Sequence, residues 1–155
     1  MKIQVINGPN LNMLGKREPE LYGKMTLEEI NKTLEEEGEK TNTELSFFQS
    51  NHEGAIVDCI QQCETSVDAI IINPAAYTHY SIAIRDALAS ISVPAVEVHL
   101  TKIDEREAFR SISVTKDVCR AQFYGKGIHS YLEALSYFTM QKRIAEKEEN
   151  TDDKK

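Results

Sequence analysis

The chain has 155 residues, 25 acidic and 18 basic, for a formal charge of −7. That length suits one domain able to bury a core without staples, and the charge argues against nucleic acid or an anionic membrane as main partner. No run approaches the ~18 consecutive apolar residues of a membrane span.

Residues 3–6 form a short apolar run that reads as a buried first strand spanning 2–6. Only one Lys precedes it, so no secretory signal is expected, and three cysteines, an odd number, point to free thiols in a reducing cytoplasm. Residues 7–23 then make a long connection without periodicity, which inside a compact domain points to an active-site lid or to disorder. Disorder is the poorer reading. The segment has Pro9, Pro19, Gly8, Gly15 and Gly23 to shape it, and Leu11, Met13, Leu14, Leu21 and Tyr22 to anchor it. It also carries Arg17 five residues before Tyr22, and a guanidinium near a phenol favours the phenolate. A loop with an acidified tyrosine is a catalytic expectation.

Beyond the loop, Thr26-Leu27-Glu28-Glu29 matches a capping box, opening a helix that runs to about residue 40. A second strand is expected over 44–49 and a helix over 53–64 with Ile56, Val57 and Ile60 inward. Residues 67–72 form a continuous apolar run closed by Asn73-Pro74, the pattern of a strand covered on both faces. A helix from Thr78 to about 89, a fourth strand over 92–98, a short helix around 104–109, a weaker fifth strand near 117–123 and a last helix over about 128–145 complete the reading. Residues 146–155 read as a solvated, frayed acidic tail. Strand–helix alternation of this kind predicts one α/β domain, a doubly wound five-stranded parallel sheet with right-handed crossovers.

Ligands of open α/β sheets sit beyond the carboxyl ends of the strands. That edge collects Asn7, Asn10, Arg17 and Tyr22 after the first strand, Gln49 to Glu53 after the second, Asn73 to His79 after the third, and Glu97 to Thr101 at the end of the fourth. Glu97 and His99, two apart on a strand, project from one face, so the carboxylate can orient the imidazole and hold its proton.

Five segments in order carry a family resemblance. They are Asn-Gly-Pro-Asn-Leu-Asn-Met-Leu-Gly-x-Arg-Glu-Pro-x-x-Tyr-Gly from Asn7, Gln-Ser-Asn-His-Glu-Gly from Gln49, and Ile-Asn-Pro-Ala-Ala-Tyr-Thr-His from Ile72. Ser-x-Ala-Ile-Arg-Asp-Ala-Leu from Ser81 and Glu-Val-His-Leu from Glu97, continuing to Arg106-Glu107-x-Phe109-Arg110, complete the set. The chain resembles the type II 3-dehydroquinate dehydratases over all but the acidic tail. The resemblance implies a flavodoxin-like fold, a dodecamer built from trimers, and neither metal nor organic cofactor. It implies Tyr22, activated by Arg17, as the base that removes a proton alpha to the substrate ketone. Asn10 would position a water against the enolate oxygen. His99, backed by Glu97, would protonate the departing hydroxyl. Asn73 and the backbone amides of Leu100 and Thr101 would hold the substrate carboxylate, His79 and Arg110 the ring hydroxyls, and Asp86 would reach in from a neighbouring subunit. Thr101, Tyr80, Lys102 and Ala121 stand where the family usually has Ser, Thr, Asn and Gly; none of these departures removes a proposed catalytic group.

Plainer readings compete for other residues. Cys59 and Cys63 share a helix face at metal-compatible spacing, but no second Cys/His pair accompanies them, so buried apolar thiols are expected. His52 and His129 read as capping or surface residues, and Tyr77, Tyr80 and Tyr131 as packing or interface residues. Gly125-Lys126-Gly127 resembles an anion cradle, although any tight turn needs such glycines. A flavodoxin-type electron carrier would need a Ser/Thr/Gly-rich loop where Gly8-Pro9-Asn10-Leu11-Asn12 stands. A non-catalytic binding protein on this scaffold would have no use for the joint presence of Asn10, Arg17, Tyr22, His79, His99 and Arg110.

Overall fold

The computed structural model describes residues 1–16 and 18–152, with Tyr22 and residues 151–152 described in their backbone alone. Ile3, Val5, Ile6, Ile70, Ile71 and Ile72 have no exposed surface, because their strands are covered on both faces. Each such side chain contributes about 1.5–3 kcal/mol by leaving water. The strands are β1 (Lys2–Asn7), β2 (Glu44–Gln49), β3 (Ala69–Asn73), β4 (Ala95–His99) and β5 (Gln122–Tyr124). They pair in parallel in the order β2-β1-β3-β4-β5. The chain crosses from one side of β1 to the other between β2 and β3, which creates a switch point beside the carboxyl end of β1.

Helices α1 (Pro19–Tyr22), α2 (Leu27–Lys40), α3 (Glu53–Cys63) and α4 (Ile82–Ser90) lie between the strands, and α5 (Ile128–Asp152) follows the last of them. Strand alternation sends Ile3, Val5, Ile71, Val96 and Val98 to one face, where Ile30 and Leu34 of α2 and Tyr131, Leu135 and Phe138 of α5 cover them. Ile6, Ile70 and Ile72 face the other way, against Ile56 and Ile60 of α3 and Ile84 and Leu88 of α4. Cys59 and Cys63 lie in this second cluster as buried apolar side chains. The capping box at Thr26 is present: Glu29 N–H donates to Thr26 Oγ1 at 3.2 Å, and Thr26 N–H to Glu29 Oε2 at 2.8 Å. Such a cap is worth about 1 kcal/mol.

Several boundaries differ from the sequence reading for local reasons. Val67 N–H still bonds the Cys63 carbonyl at 3.3 Å, so β3 begins at Ala69. Thr78 lies in a 3₁₀ turn (Ala75–His79), and α4 starts only after Ser81, whose hydroxyl accepts from Ile84 N–H at 3.0 Å. The helix expected around 104–109 is two separate 3₁₀ turns, Ile103–Glu105 and Ala108–Arg110. The fifth strand shrinks to Gln122–Tyr124, because Lys116–Val118 forms a 3₁₀ turn. At the other end α5 continues through the acidic stretch to Asp152, with Lys142 paired to Glu146 at 3.7 Å. Among the described residues no helix is long and apolar enough to cross a membrane.

Candidate active site

At the carboxyl edge of the sheet the loop after β1 is tied to its neighbours by main-chain bonds. Gly8 N–H donates to the Asn73 carbonyl at 2.8 Å, and Ser50 N–H to the Asn7 carbonyl at 3.0 Å. Asn10 then adopts a left-handed conformation (φ 67°) and gives its N–H to Asn51 Oδ1 at 2.9 Å. Below it lies a cleft of about 160 Å³ with an apolar floor of Leu11, Leu14 and Ile103. Its walls carry Asn10, Asn73, His79, His99, Thr101, Arg106 and Arg110. Among the described residues lining it there is no carboxylate. Arg106 and Arg110 both approach the Glu107 carboxylate, at 3.8 and 3.0 Å, so two guanidinium charges share one acid outside the lining and leave that wall suited to an anion.

Asn73 does not hang freely into this space. Its Nδ2 donates to Tyr131 Oη at 2.9 Å, and Tyr131 Oη donates in turn to Asn7 Oδ1 at 2.6 Å. Its Oδ1 accepts from Ala75 N–H at 3.1 Å. Ala75 has a φ of 53°, a conformation costing a non-glycine residue about 1–2 kcal/mol. The turn is held by the asparagine it holds. Tyr131 has no exposed surface, and burial pushes its phenol well above the ordinary range. It is thus a neutral strut between α5 and the ends of β1 and β3.

Glu97 is wholly buried and His99 nearly so. His99 Nε2 lies 3.1 Å from Glu97 Oε2. That nitrogen makes no regular hydrogen bond in this geometry, so the contact is a close approach of carboxylate and ring. Ser113 Oγ donates to the same carboxylate at 2.9 and 3.0 Å, and Thr115 Oγ1 and Gln122 Nε2 donate as well. Burial pushes the Glu97 carboxyl up, but His99, Thr115 and Gln122 outweigh it and leave the group below its ordinary range. It stays ionised, and a carboxylate behind an imidazole fixes which ring nitrogen carries the proton.

His79 is set from the opposite wall. Its Nδ1 meets the Ile112 carbonyl at 2.7 Å, which makes Nδ1 the protonated nitrogen. Burial, then the neighbouring His99 and Arg110 charges, lower its pKa against the pull of that carbonyl. Arg110 Nε bonds Glu107 Oε2 at 3.0 Å, and its guanidinium lies 5.1 Å from the centroid of the Phe109 ring.

Of the residues singled out in the sequence, Asn10, Asn73, His79, His99, Leu100, Thr101 and Arg110 line one cleft, with Glu97 directly behind His99. Asp86 does not join them; it is exposed on α4. Arg17 and the Tyr22 side chain lie outside the described residues, although the Tyr22 backbone closes the short helix α1. The amides of Gly125 and Gly127 donate to the carbonyls of His99 (3.3 Å) and Leu100 (3.0 Å), so this turn pins α5 to the end of β4 and is no anion cradle. Among the described residues no cluster of three or more His, Cys, Asp or Glu is arranged for a metal. Sequence reasoning misses Arg106 in the wall, the Tyr131 strut, and Ser113, Thr115 and Gln122 around Glu97. One signal was available for the last three: a buried carboxylate needs donors.

The strand order, the long loop after β1 and the buried carboxylate–imidazole pair at the carboxyl edge of the sheet define a flavodoxin-like α/β protein with an acid–base site of enzymatic type. The family described as Dehydroquinase class II matches residues 1–139, and the chain belongs to it. It is 49% identical over 146 residues to a 3-dehydroquinate dehydratase of Thermotoga petrophila, covering 94% of this chain and 99% of that one. It is 50% identical over 145 residues to the 3-dehydroquinate dehydratase of Bacillus mycoides, covering 94% and 98%. The crystal structure of the type II dehydroquinase from Butyrivibrio crossotus superimposes with a TM-score of 0.87 at 51% identity, over 88% of this chain and 96% of that one.

Proposed function

We propose that this cleft dehydrates 3-dehydroquinate to 3-dehydroshikimate, a hydro-lyase step of the shikimate pathway that serves aromatic amino acid biosynthesis. The observation that carries the reading is a cleft lined by Arg106, Arg110, His79 and His99, with two guanidinium charges against the single Glu107 carboxylate, in a chain of the class II family. Substrate recognition is divided among these walls. Asn73 and the backbone amides of Leu100 and Thr101 hold the carboxylate, while His79 and Arg110 take the ring hydroxyls.

The elimination is anti and passes through an enolate. Tyr22 takes the proton alpha to the ketone as a phenolate, the state favoured by the Arg17 guanidinium. A phenol at its ordinary pKa of about 10 is a poor base at neutral pH, and each unit of lowering corresponds to about 1.4 kcal/mol. The released electron pair forms the enolate, whose oxygen is met by a water that Asn10 positions. Collapse of the enolate expels the tertiary hydroxyl, which takes a proton from His99 and leaves as water. The substrate ketone is its own electron sink, so the chemistry calls for no cofactor.

Asp86, Tyr80 and Ile82 are exposed together around the start of α4, a placement that suits a second subunit. In this reading the assembly is a homododecamer, a tetramer of trimers, in which Asp86 completes a neighbour's cleft. The deciding experiment adds 3-dehydroquinate to purified protein in the presence of a chelator and follows the ultraviolet absorbance of the enone product. A flat trace from folded protein overturns the reading.

A further inference from the structure

Glu97 stands on β4, yet two of its hydroxyl donors come from elsewhere in the chain. Ser113 and Thr115 belong to the segment just after Arg110, two residues apart, and both reach the same buried carboxylate. The residue between them is pinned at both backbone atoms: Val114 N–H donates to the Thr78 carbonyl at 2.9 Å, and its own carbonyl accepts from Arg85 Nη1 at 2.6 Å. Two residues earlier, the Ile112 carbonyl meets His79 Nδ1 at 2.7 Å.

We propose that residues 112–115 form a strap that sets the proton positions of both cleft histidines, with Ser113 and Thr115 as positioning residues for the Glu97–His99 pair and the Ile112 carbonyl holding His79.

The direction of the hydrogen bonds supports this. Ser113 Oγ accepts from Lys116 N–H at 3.0 Å, which occupies a lone pair and turns its own proton toward Glu97. A hydroxyl committed as donor favours the ionised carboxylate and opposes the protonated one. Gln122 Nε2, from β5, adds a donor that cannot reverse. The titratable groups facing Glu97 are His99 on β4, His79 across the cleft with Arg110 beside it, and Cys119. The Cys119 thiol is pushed up to about 12 by burial and then by the Glu97 charge, so it stays neutral and supplies no compensating charge. With Glu97 held ionised, a proton on the His99 nitrogen beside it is stabilised, and the second ring nitrogen is left to serve a ligand. On the other wall, Nδ1–H committed to Ile112 leaves His79 Nε2 as an acceptor for a hydroxyl.

The test uses Ser113→Ala and Thr115→Val, with Thr115→Ser as the conservative control. The midpoint of the Glu97 carboxyl, read by carbon NMR in the unliganded protein, is expected to rise by about one pH unit for each hydroxyl removed. Thr115→Ser should restore it. The acid limb of kcat/KM for 3-dehydroquinate should rise in parallel, with KM held within about threefold. Nitrogen NMR should find His79 in the Nδ1–H form. Folded variants whose Glu97 midpoint stays at the wild-type value overturn the proposal, as does an Nε2–H tautomer at His79. If Thr115→Val does not fold, Ser113→Ala alone carries the reading, since it deletes a single oxygen and leaves the Thr115 donor in place. The activity arm rests on the dehydratase reading, whereas the NMR arms need no turnover. Wild-type protein inactive on 3-dehydroquinate would therefore sink that reading and leave the strap to be decided by NMR.

Discussion

Replacing Tyr131 with Phe removes one oxygen from the centre of the fold and should cost far more than its volume suggests. The hydroxyl accepts from Asn73 Nδ2 and donates to Asn7 Oδ1, and no surface of the residue is exposed. Phe leaves both partners buried with nothing to bond, and Asn7 Nδ2 already has no partner among the described residues. An orphaned buried polar group costs about 1–3 kcal/mol, so two give a gross penalty of about 2–6. Phe no longer carries the desolvation of a hydroxyl and keeps the ring packing, which brings the expected loss to about 2–4 kcal/mol. For a domain of this size that is a fall in Tm of about 5–12 °C. Urea denaturation should show a lower midpoint with an unchanged slope, since no new surface is exposed. A second consequence is functional: with Nδ2 released, Asn73 can rotate, and KM should rise more than kcat falls. A stability change under about 0.5 kcal/mol would refute the strut.

Other perturbations test separate parts of the site. A Cβ on Gly8 would sit 2.4 Å from the Pro74 carbonyl oxygen, so Gly8→Ala must push the β1 loop off β3. It should lose about 2–4 kcal/mol by urea titration, and a neutral result would mean the two loops part freely. His79 has a folded pKa below its ordinary 6.5. The unfolded chain therefore binds the proton more readily: stability is fully present above that ordinary value and declines as pH falls through the window beneath it. His79→Gln should flatten the urea midpoint across that window, and an unaltered slope would show that other groups drive it. Tyr22→Phe should abolish turnover while substrate binding stays within about tenfold, because only the proton acceptor is lost. Residual activity above about a tenth of wild type would remove Tyr22 from the role of base.

The fold is legible in the sequence because its central strands are covered on both faces. An apolar run such as Ile70-Ile71-Ile72 has no polar alternation to confuse, and 3.6-periodicity brackets it on either side. The Glu97–His99 pair is legible for the same reason: strand periodicity alone puts both on one face, and the structure brings them to 3.1 Å. What is illegible lies between residues 100 and 121, where 3₁₀ turns replace periodic elements. Ser113 and Thr115 look like ordinary loop residues there, since short hydroxyl side chains occur in most turns. Their partner is 16 and 18 residues away, a pairing no local rule supplies. Tyr131 is hidden differently. On an amphipathic helix it reads as core, and so it is, but its hydroxyl bonds Asn7 across 124 residues.

These long-range bonds share one geometry. Each joins a residue at the carboxyl end of a strand to an element arriving later in the chain: Asn7 and Asn73 to α5, and Glu97 to the strap and β5. Strand order places Asn7 opposite Asn73 in register, so a single tyrosine can serve both. The polar groups lining the cleft are positioned by bonds made behind them in a dry interior, where an unmade bond is most costly. The β1 loop is held mainly near its start, where Gly8 N–H bonds the Asn73 carbonyl and Gln49 Nε2 bonds the Gly8 carbonyl. Asn10 is tied through its backbone to Asn51, whereas Arg17 and Tyr22 belong to the stretch that runs on through α1. The division suits an elimination reaction. The groups proposed to grip the substrate and protonate its leaving hydroxyl sit on the sheet edge, and the proposed base sits on the segment that must admit the substrate first.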